Sequence, residues 1–406
     1  MKSRIGCFCA AVFLLTGVVR AGSLRIDHRH TDVTRLTQAQ IERAKSTLHI
    51  AYGHTSHGSQ LTDGMSALVG FANGGGKGLA LPANIFAWNN GGHDGALDLH
   101  DGALCNDVGY YPDWVVCTSN YLDDPENADV NVILWSWCGQ MTWKYSGGAL
   151  SNEYLLPMAQ LELDYPNVTF VYMTGHVDIW DNANNKAACD VIRAWCASNN
   201  RVLYDFNDIE HYDPDGTYFE FVDDYCSVYD GAGGSVTGNW AEEWQTAHTQ
   251  NVDWYDCSAA HSLPLNGNLK AYAAWALWCR LGADRDRDGL ADEWEERHGG
   301  AGRFGGGTND FDADGLTDWE EYVQDSAPTN AGARFAIAGL APAGGAAPEF
   351  PSSPGRVYAL RARTNLLAGG WHSVTSRPGT GATMSLADEA PAAGVNVYRV
   401  EVSVPE

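Results

Sequence analysis

The sequence predicts an α/β fold for the largest part of the chain, a flavodoxin-like parallel sheet flanked by helices. Two observations favour this class. Short apolar runs rich in β-branched residues alternate with longer runs of helical spacing between residues 22 and 282. Each helical run is long enough to cross over a sheet, so successive strands are expected to lie parallel as βαβ units.

Five strands are expected, each a short apolar run bounded by turn residues. They are Leu48 to Tyr52, Ile85 to Trp88, Val130 to Trp135, Val168 to Met173 and Val202 to Asp205. Helices are expected over Leu61 to Phe71, Glu153 to Leu163, Ala187 to Ser198 and Leu269 to Leu281. The strands of such a sheet end at one common edge, and binding and catalytic residues are expected there.

The N-terminal segment has the composition of a secretory signal peptide. Lys2 and Arg4 precede an apolar stretch and a small residue stands before Gly22, so residues 1–21 are expected to be removed on export. The apolar stretch from Cys7 to Val19 is shorter than the roughly 20 residues that span a bilayer. We therefore expect a secreted protein without a membrane span, whether extracellular, periplasmic or attached to the cell surface.

Charge and cysteine usage narrow the partners and the compartment. The chain has 51 acidic and 25 basic residues, a formal net charge of −26, which would repel a phosphate backbone. A nucleic-acid partner is therefore not expected. Removing Cys7 and Cys9 from the ten cysteines leaves eight, and an even number in an exported chain predicts disulfides of undetermined pairing. The oligomeric state stays open.

Two changes of composition divide the exported chain into three parts. Residues 22–282 carry the α/β pattern, and residues 283–330 are dominated by regularly spaced aspartates. Residues 331–406 are rich in Ala, Gly and Pro and contain short alternating strands. The last part is predicted to be a small all-β sandwich.

The aspartate-rich part contains two copies of a calcium-loop pattern. Calcium takes about six to eight oxygen ligands, and the loop needs a glycine at its sixth position to turn sharply. The ligands expected in the two copies are Asp284, Asp286, Asp288, Leu290 through its carbonyl, Asp292 and Glu295, and then Asp310, Asp312, Asp314, Leu316 through its carbonyl, Asp318 and Glu321. The copies resemble EF-hand-like and dockerin-like repeats of secreted bacterial proteins. Two structural Ca²⁺ ions are expected, stiffening a connector, with none used in catalysis.

A turn after the first long strand carries a candidate nucleophile. Ser56 stands between that strand and the following helix, so its hydroxyl is expected at the carboxyl edge of the sheet. A serine hydroxyl is nearly inert until a base takes its proton. His261, which lies just before the last helix of the α/β part, is the expected base.

This arrangement resembles the SGNH, or GDSL-like, hydrolase superfamily over roughly residues 45–282. The family has a serine after the first strand, a glycine after the second, an amide-bearing turn after the third and a late histidine. Ser56, Gly92, Gln140 and His261 match these positions. The resemblance implies a serine esterase in which Ser56 attacks an acyl carbonyl and His261 takes its proton. It also implies that the Ser56 and Gly92 amides and the Gln140 side chain hold the oxyanion.

Three positions depart from the family pattern. The turn reads GHTS instead of GDS, Gln140 stands in place of an asparagine, and Ser258 stands where an aspartate precedes the histidine by three residues. Asp256, five residues before His261, is assigned as the orienting acid, with Asp253 behind it.

The expected substrate is an extracellular carbohydrate carrying O-acyl groups, acetyl included. His54, His57, Trp137 and His176 are expected to contact it, and the two histidines beside Ser56 are alternative bases. Two other functions stay open. The chain could be a non-catalytic glycan-binding or adhesion protein on the same fold, or a metal-dependent hydrolase that uses the histidines.

Overall fold

The computed structural model describes residues 23–300, 303–306, 308–341, 347–364, 370–390 and 397–404. One compact unit runs from Gly22 to Arg285, and a second one begins at Asp286. The predicted signal segment, residues 1–21, lies outside the described residues. Among the residues that are described, no helix combines the length and the apolar character needed to cross a bilayer.

A seven-stranded, wholly parallel sheet forms the centre of the first unit. Its strands are β1 (Arg25–Ile26), β2 (His49–Gly53), β3 (Trp88–Asn89), β4 (Leu97–Asp101), β5 (Val132–Trp135), β6 (Thr169–Met173) and β7 (Val202–Tyr204). Their order across the sheet is β1-β7-β6-β5-β2-β4-β3, and each pairing is parallel. The predicted α/β class is confirmed at this level.

Nine α-helices surround the sheet in the described part of the first unit. They are α1 (Gln38–Thr47), α2 (Ser59–Asn73), α3 (Asp113–Leu122), α4 (Met141–Ser146), α5 (Leu156–Asp164), α6 (Asn182–Asn199), α7 (Phe206–Glu210), α8 (Trp240–Ala247) and α9 (Pro264–Leu281). A two-stranded hairpin, β8 (Ser227–Tyr229) and β9 (Val236–Asn239), lies between α7 and α8.

Helix α9 is the central helix of this unit, because 16 of its 18 residues are buried. It packs closely against α2 where Gly64 meets Gly267. A Cβ atom on Gly64 would lie 2.2 Å from the Gly267 carbonyl oxygen, so only a glycine allows this approach. This close packing holds α9, the helix that follows His261, against α2, the helix that follows Ser56.

The sequence predicts β2, β5, β6 and β7 nearly as they occur, but it misses β1 and β4. Strand β4 reads Leu-Asp-Leu-His-Asp, and acidic residues are depleted in strands, which hides the pattern. Asp98 is nevertheless buried there, and its carboxylate is 2.8 Å from the His49 Nδ1. Strand β4 lies between β2 and β3, so the loop after Asp101 starts on one side of the turn that carries Ser56, and the loop after β5 starts on the other.

The described part of the second unit contains two short helices and two small antiparallel sheets. Its elements are α10 (Asp292–His298), α11 (Asp318–Gln324), β10 (Gly339–Leu340), β11 (Pro348–Pro351), β12 (Val357–Arg363), β13 (His372–Pro378), β14 (Thr383–Ser385) and β15 (Val397–Ser403). The sheets have the orders β10-β11-β14 and β13-β12-β15. Phe350, Tyr358 and Leu360 are buried in the core that the strands share. The C-terminal part is thus all-β and antiparallel.

Candidate active site

The site lies where the neighbouring strands β2 and β5 end. Gly53 is paired with Trp135, and the Ser136 amide donates to the Gly53 carbonyl at 2.9 Å, so the two following loops start side by side. Tyr52 holds the first loop by donating its hydroxyl to the Gly58 carbonyl at 2.9 Å. A Cβ on Gly58 would lie 2.5 Å from the Ser136 hydroxyl oxygen, so this approach requires glycine.

Three side chains from distant segments form a hydrogen-bonded relay at this edge. The Cys138 Sγ is 3.5 Å from the His57 Nδ1, and the His57 Nε2 is 3.1 Å from the Asp224 Oδ2. His57 comes from the turn after β2, Cys138 from the loop after β5, and Asp224 from the segment before the β8–β9 hairpin. A thiol, an imidazole and a carboxylate in this order are the parts of a nucleophilic triad.

The relay shifts the pKa values of both of its reactive groups. The hydrogen bond to His57 outweighs partial burial and lowers the pKa of the Cys138 thiol to about 7. Burial favours the neutral form of His57, but its bonds to Asp224 and Cys138 outweigh burial and raise its pKa to about 9. Between these two values the pair is a thiolate beside an imidazolium.

His57 is the middle ring of a stack of three histidines. The His176 ring lies 3.9 Å from it at an interplanar angle of 4°, and the His261 ring lies 4.4 Å from it at 13°. Burial and the charge of His57 lower the pKa of His176. A neutral His176 ring can therefore pack on the charged His57 without repulsion.

Ser56 and His261 both reach this edge, but they do not form the predicted pair. Ser56 is exposed, and its Oγ lies 4.0 Å from the Cys138 Sγ. Within the described residues His261 makes no hydrogen bond to Ser56; its ring stacks on His57 instead. Ser56 is therefore placed beside the thiol and lacks the base that its activation requires.

The carboxylate near the histidines is Asp224, and it differs from the one that sequence reasoning assigned. Asp256 is exposed and makes no hydrogen bond to His261 in the described part of the chain. Asp253 accepts a bond from the Thr249 amide at 2.9 Å and so closes a local turn. His57, His261 and Asp224 each offer a ligand atom, all within 4.8 Å of one another.

Two of the three predicted oxyanion donors, Gly92 and Gln140, are engaged elsewhere. The Gly92 amide donates to the Asn89 carbonyl at 3.4 Å in the turn after β3, an edge strand that β4 separates from β2. The Gln140 Nε2 donates to the Asp107 Oδ2 at 3.2 Å. Asp107 is buried and also accepts from the Thr55 hydroxyl at 2.7 Å. The Asp107 carboxylate therefore joins the turn before Ser56 to the loop after Cys138.

The remaining predicted contact residues lie in different surroundings. His54 is bonded through Nε2 to the Asp101 carboxylate at 2.7 Å, at the end of β4. His176 belongs to the histidine stack. Trp137 is only 2% exposed and donates to the Met173 carbonyl at 3.1 Å, so it packs in the core instead of lining the edge.

All eight cysteines that follow the predicted signal segment are free thiols in this structure. Cys105 and Cys117 are neighbours, since the Cys105 amide lies 2.8 Å from the Cys117 Sγ. Burial raises the pKa of Cys105, Cys226, Cys257 and Cys279 to about 12. The lowered pKa of Cys138 therefore distinguishes it chemically from those four.

The predicted calcium loops lie in the second unit, apart from Asp284, which belongs to the first. In the second loop Gly315 has a φ of 93°, the left-handed conformation that the sixth position needs. Asp318 and Glu321 are 0% exposed there, and one oxygen of Asp318 and both oxygens of Asp312 and Glu321 have no hydrogen-bond partner. In the first loop Asp286, Asp288 and Glu295 bring ligand atoms within 4.8 Å of one another. These carboxylates fit a divalent cation.

Sequence reasoning missed Cys138, Asp224 and Asp107. A cysteine three residues after a buried strand was a usable signal, because function gathers at strand carboxyl ends. It was counted instead as a possible disulfide partner. Asp224 gives no such signal, since 167 residues separate it from His57 along the chain.

Comparison of this chain with protein-family models, with curated proteins and with solved structures found no match in any of the three.

Proposed function

We propose that this chain is an exported ester hydrolase that removes O-acyl groups from carbohydrate through a covalent acyl-enzyme. The observation that carries the proposal is the relay from Cys138 through His57 to Asp224. It supports the reaction class that the sequence predicts but favours a different nucleophile. Cys138 has a base within reach, whereas the hydroxyl of Ser56 has as its neighbour only that same thiol among the described residues.

The proposed reaction begins with the thiolate–imidazolium pair. The Cys138 thiolate attacks the carbonyl carbon of the ester, and the carbon–oxygen bond to the sugar alcohol then breaks. The His57 imidazolium gives its proton to the departing alcohol oxygen, which leaves a thioester on Cys138 and a neutral imidazole. Asp224 holds the ring in this orientation and favours its charged form.

The second half of the reaction restores the pair. Neutral His57 takes a proton from a water molecule while the water oxygen attacks the thioester carbonyl. The carbon–sulfur bond breaks, the carboxylic acid leaves, and the thiolate again faces an imidazolium. The same side chain thus acts first as acid and then as base.

Exposed aromatic side chains support a carbohydrate substrate. The large exposed aromatics of the first unit's described residues are Tyr110, Tyr111, Trp143, Trp180, Tyr218 and Tyr225. Trp180, which lies between β6 and α6, is as much as 81% exposed. Aromatic rings pack well on the apolar faces of sugars.

The proposal predicts selective alkylation of one thiol. At pH 7.5 to 8, iodoacetamide is expected to modify Cys138 first, because about half or more of that thiol is ionised near its pKa of about 7. The alkylation rate should rise through pH 7, and hydrolysis of p-nitrophenyl acetate should rise there and decline above pH 9 as His57 loses its proton. Peptide mapping and initial rates measure the two quantities. Modification that starts at another cysteine, or an ascending midpoint near pH 9, contradicts the proposal.

Hydrolysis rates with and without a chelator, together with carbohydrate binding, distinguish the two other functions. A glycan-binding protein would show no hydrolysis while retaining affinity for carbohydrate, and a metal-dependent hydrolase would lose its rate in chelator. The geometry does not favour a metal centre, since the His57 and His261 rings are nearly parallel. Imidazole lone pairs lie in the ring plane, so two stacked rings do not point at a common ion.

We also propose that the two aspartate-rich loops bind structural calcium. The observation that favours this is the set of buried oxygens without partners in the second loop, on Asp312, Asp318 and Glu321. Leaving a buried carboxylate unpaired is costly, and a bound divalent cation removes that cost. When bound, calcium would be held by these groups with Asp310, Asp314 and the Leu316 carbonyl, and would link the loop to α11.

Calcium is expected to raise the melting temperature of the second unit. At 100-fold excess over its dissociation constant, one ion stabilises the folded state by about 2.7 kcal/mol. Differential scanning calorimetry with calcium and with EDTA measures the shift. Glu321→Gln should remove much of it, whereas Glu349→Gln, on β11 and away from the loops, should not. An equal response of both variants to calcium would refute this site assignment.

A further inference from the structure

One buried polar network contacts all three segments that carry the stacked histidines. Its centre is Lys270 on α9, which is 0% exposed. The Lys270 Nζ is 2.6 Å from the Glu210 Oε1 and 2.5 Å from the Gln60 Oε1. Glu210 is 2% exposed and Gln60 is 0% exposed, so the network is shielded from solvent.

The network reaches each histidine through a neighbouring residue. Gln60 lies three residues after His57 and donates to the Ala260 carbonyl, immediately before His261, at 2.5 Å. Glu210 accepts the amide of Val177, immediately after His176, at 2.7 Å through its second oxygen. The three histidine-bearing segments come from different parts of the chain, and these bonds tie them to one buried ion pair.

Burying a lysine and a glutamate costs desolvation free energy, and apolar residues of the same volume often stabilise a core as well or better. An ion pair differs from apolar packing because its hydrogen bonds have preferred directions. Lys270 and Glu210 together use hydrogen bonds of fixed geometry, which set where the attached loops lie. Lys270 also lies 3.8 Å from the centre of the Phe206 ring, which fills the remaining space around it.

We propose that Lys270, Glu210 and Gln60 are positioning residues that hold His176, His57 and His261 in their stack and thereby keep His57 aligned with Cys138. This inference rests on the proposed function, because it concerns the reactivity of the same thiol. The charged or titratable groups around His57 are Cys138, Asp224, His176 and His261, with the charge of Glu210 further off. None of Lys270, Glu210 and Gln60 contacts the Cys138 thiol, so each affects that thiol through the positions of the three histidines.

Gln60→Met is the decisive variant. It keeps the volume and introduces no charge, but it removes both the acceptor for Lys270 and the donor to the Ala260 carbonyl. The ascending midpoint of Cys138 alkylation by iodoacetamide is expected to rise by about one pH unit, which is a tenfold change in the thiol's ionisation equilibrium. With p-nitrophenyl acetate we expect kcat to fall about tenfold and KM to change less than twofold.

A second variant and a control test the same inference by another route. Lys270→Met combined with Glu210→Gln removes both charges without leaving either one buried alone, and it should shift the midpoint in the same direction. Tyr204→Phe is the control, because the Tyr204 hydroxyl donates to the Lys270 carbonyl at 2.7 Å. It loosens α9 at the same residue but leaves the side-chain network intact, so it should leave the midpoint unchanged.

The outcomes separate this inference from the proposed function. If the wild-type Cys138 is not alkylated near pH 7, the proposed function fails. If it is, and Gln60→Met keeps the wild-type midpoint or Tyr204→Phe shifts it equally, the positioning role is overturned while the proposed function stands. The Val177 amide of the unmodified protein gives a further check that needs no variant. Its hydrogen exchange should be as slow as that of β6, and fast exchange would also overturn the network.

Discussion

Cys138→Ala is expected to abolish ester hydrolysis, with a loss of at least about 10³-fold in kcat, because it removes the nucleophile of the relay. Ser56→Ala should keep the rate within about tenfold of wild type, since among the described residues the hydrogen-bond contact of the serine hydroxyl is a 4.0 Å approach to the thiol. These two substitutions remove the two candidate nucleophiles one at a time, so together they assign the nucleophile.

The measurement is turnover of p-nitrophenyl acetate and of an acetylated oligosaccharide, with folding checked by circular dichroism. Trapping the acyl-enzyme after rapid quench and locating it by mass spectrometry gives an independent readout. The thioester is expected on Cys138. Loss of activity in Ser56→Ala with retention in Cys138→Ala would restore the serine mechanism that the sequence resemblance implies. An acyl group found on Ser56 would have the same consequence.

Asp224→Asn is expected to reduce kcat by about 10⁴-fold, the loss found when the carboxylate partner of a catalytic histidine is replaced by its amide. The carboxylate raises the pKa of His57, so its loss should lower that pKa from about 9. The pKa of Cys138 depends mainly on the hydrogen bond to His57, so it should rise from about 7. The pH range in which the ion pair exists should therefore narrow from both sides.

Asp256→Asn is the matched control for this experiment. It makes the same chemical change at the residue that the sequence assigns as the orienting acid. Asp256 is exposed and, in the described part of the chain, makes no hydrogen bond to His261. Its replacement should therefore change neither the rise of the hydrolysis rate through pH 7 nor its decline above pH 9. A profile that narrows in Asp256→Asn and not in Asp224→Asn would contradict the role of Asp224 and favour the acid that the sequence assigns.

Some residues of the site can be predicted from the sequence, and others cannot. Ser56, His57 and Cys138 follow strands whose apolar runs are easy to detect, so their placement at one edge can be expected from parallel topology alone. Asp224 lies in the segment between α7 and β8, which has a mixed polar composition, and no periodicity places it. Strand β4, with its two aspartates and a histidine, does not read as a strand, so the sequence gives no sign that β4 separates the strand before Gly92 from β2.

The amino-acid order alone was sufficient for the parallel α/β class, for four of the seven sheet strands and for the edge at which reactive residues gather. It was sufficient because burial imposes apolar runs of characteristic length and period on a local stretch of chain. Which histidine faces which nucleophile was decided only in three dimensions. Ser56 and His57 are adjacent in sequence, yet the turn exposes the hydroxyl and directs the imidazole towards a thiol and a carboxylate from elsewhere. Such pairings depend on side-chain direction and on contacts between distant segments, and neither leaves a periodic trace along the chain.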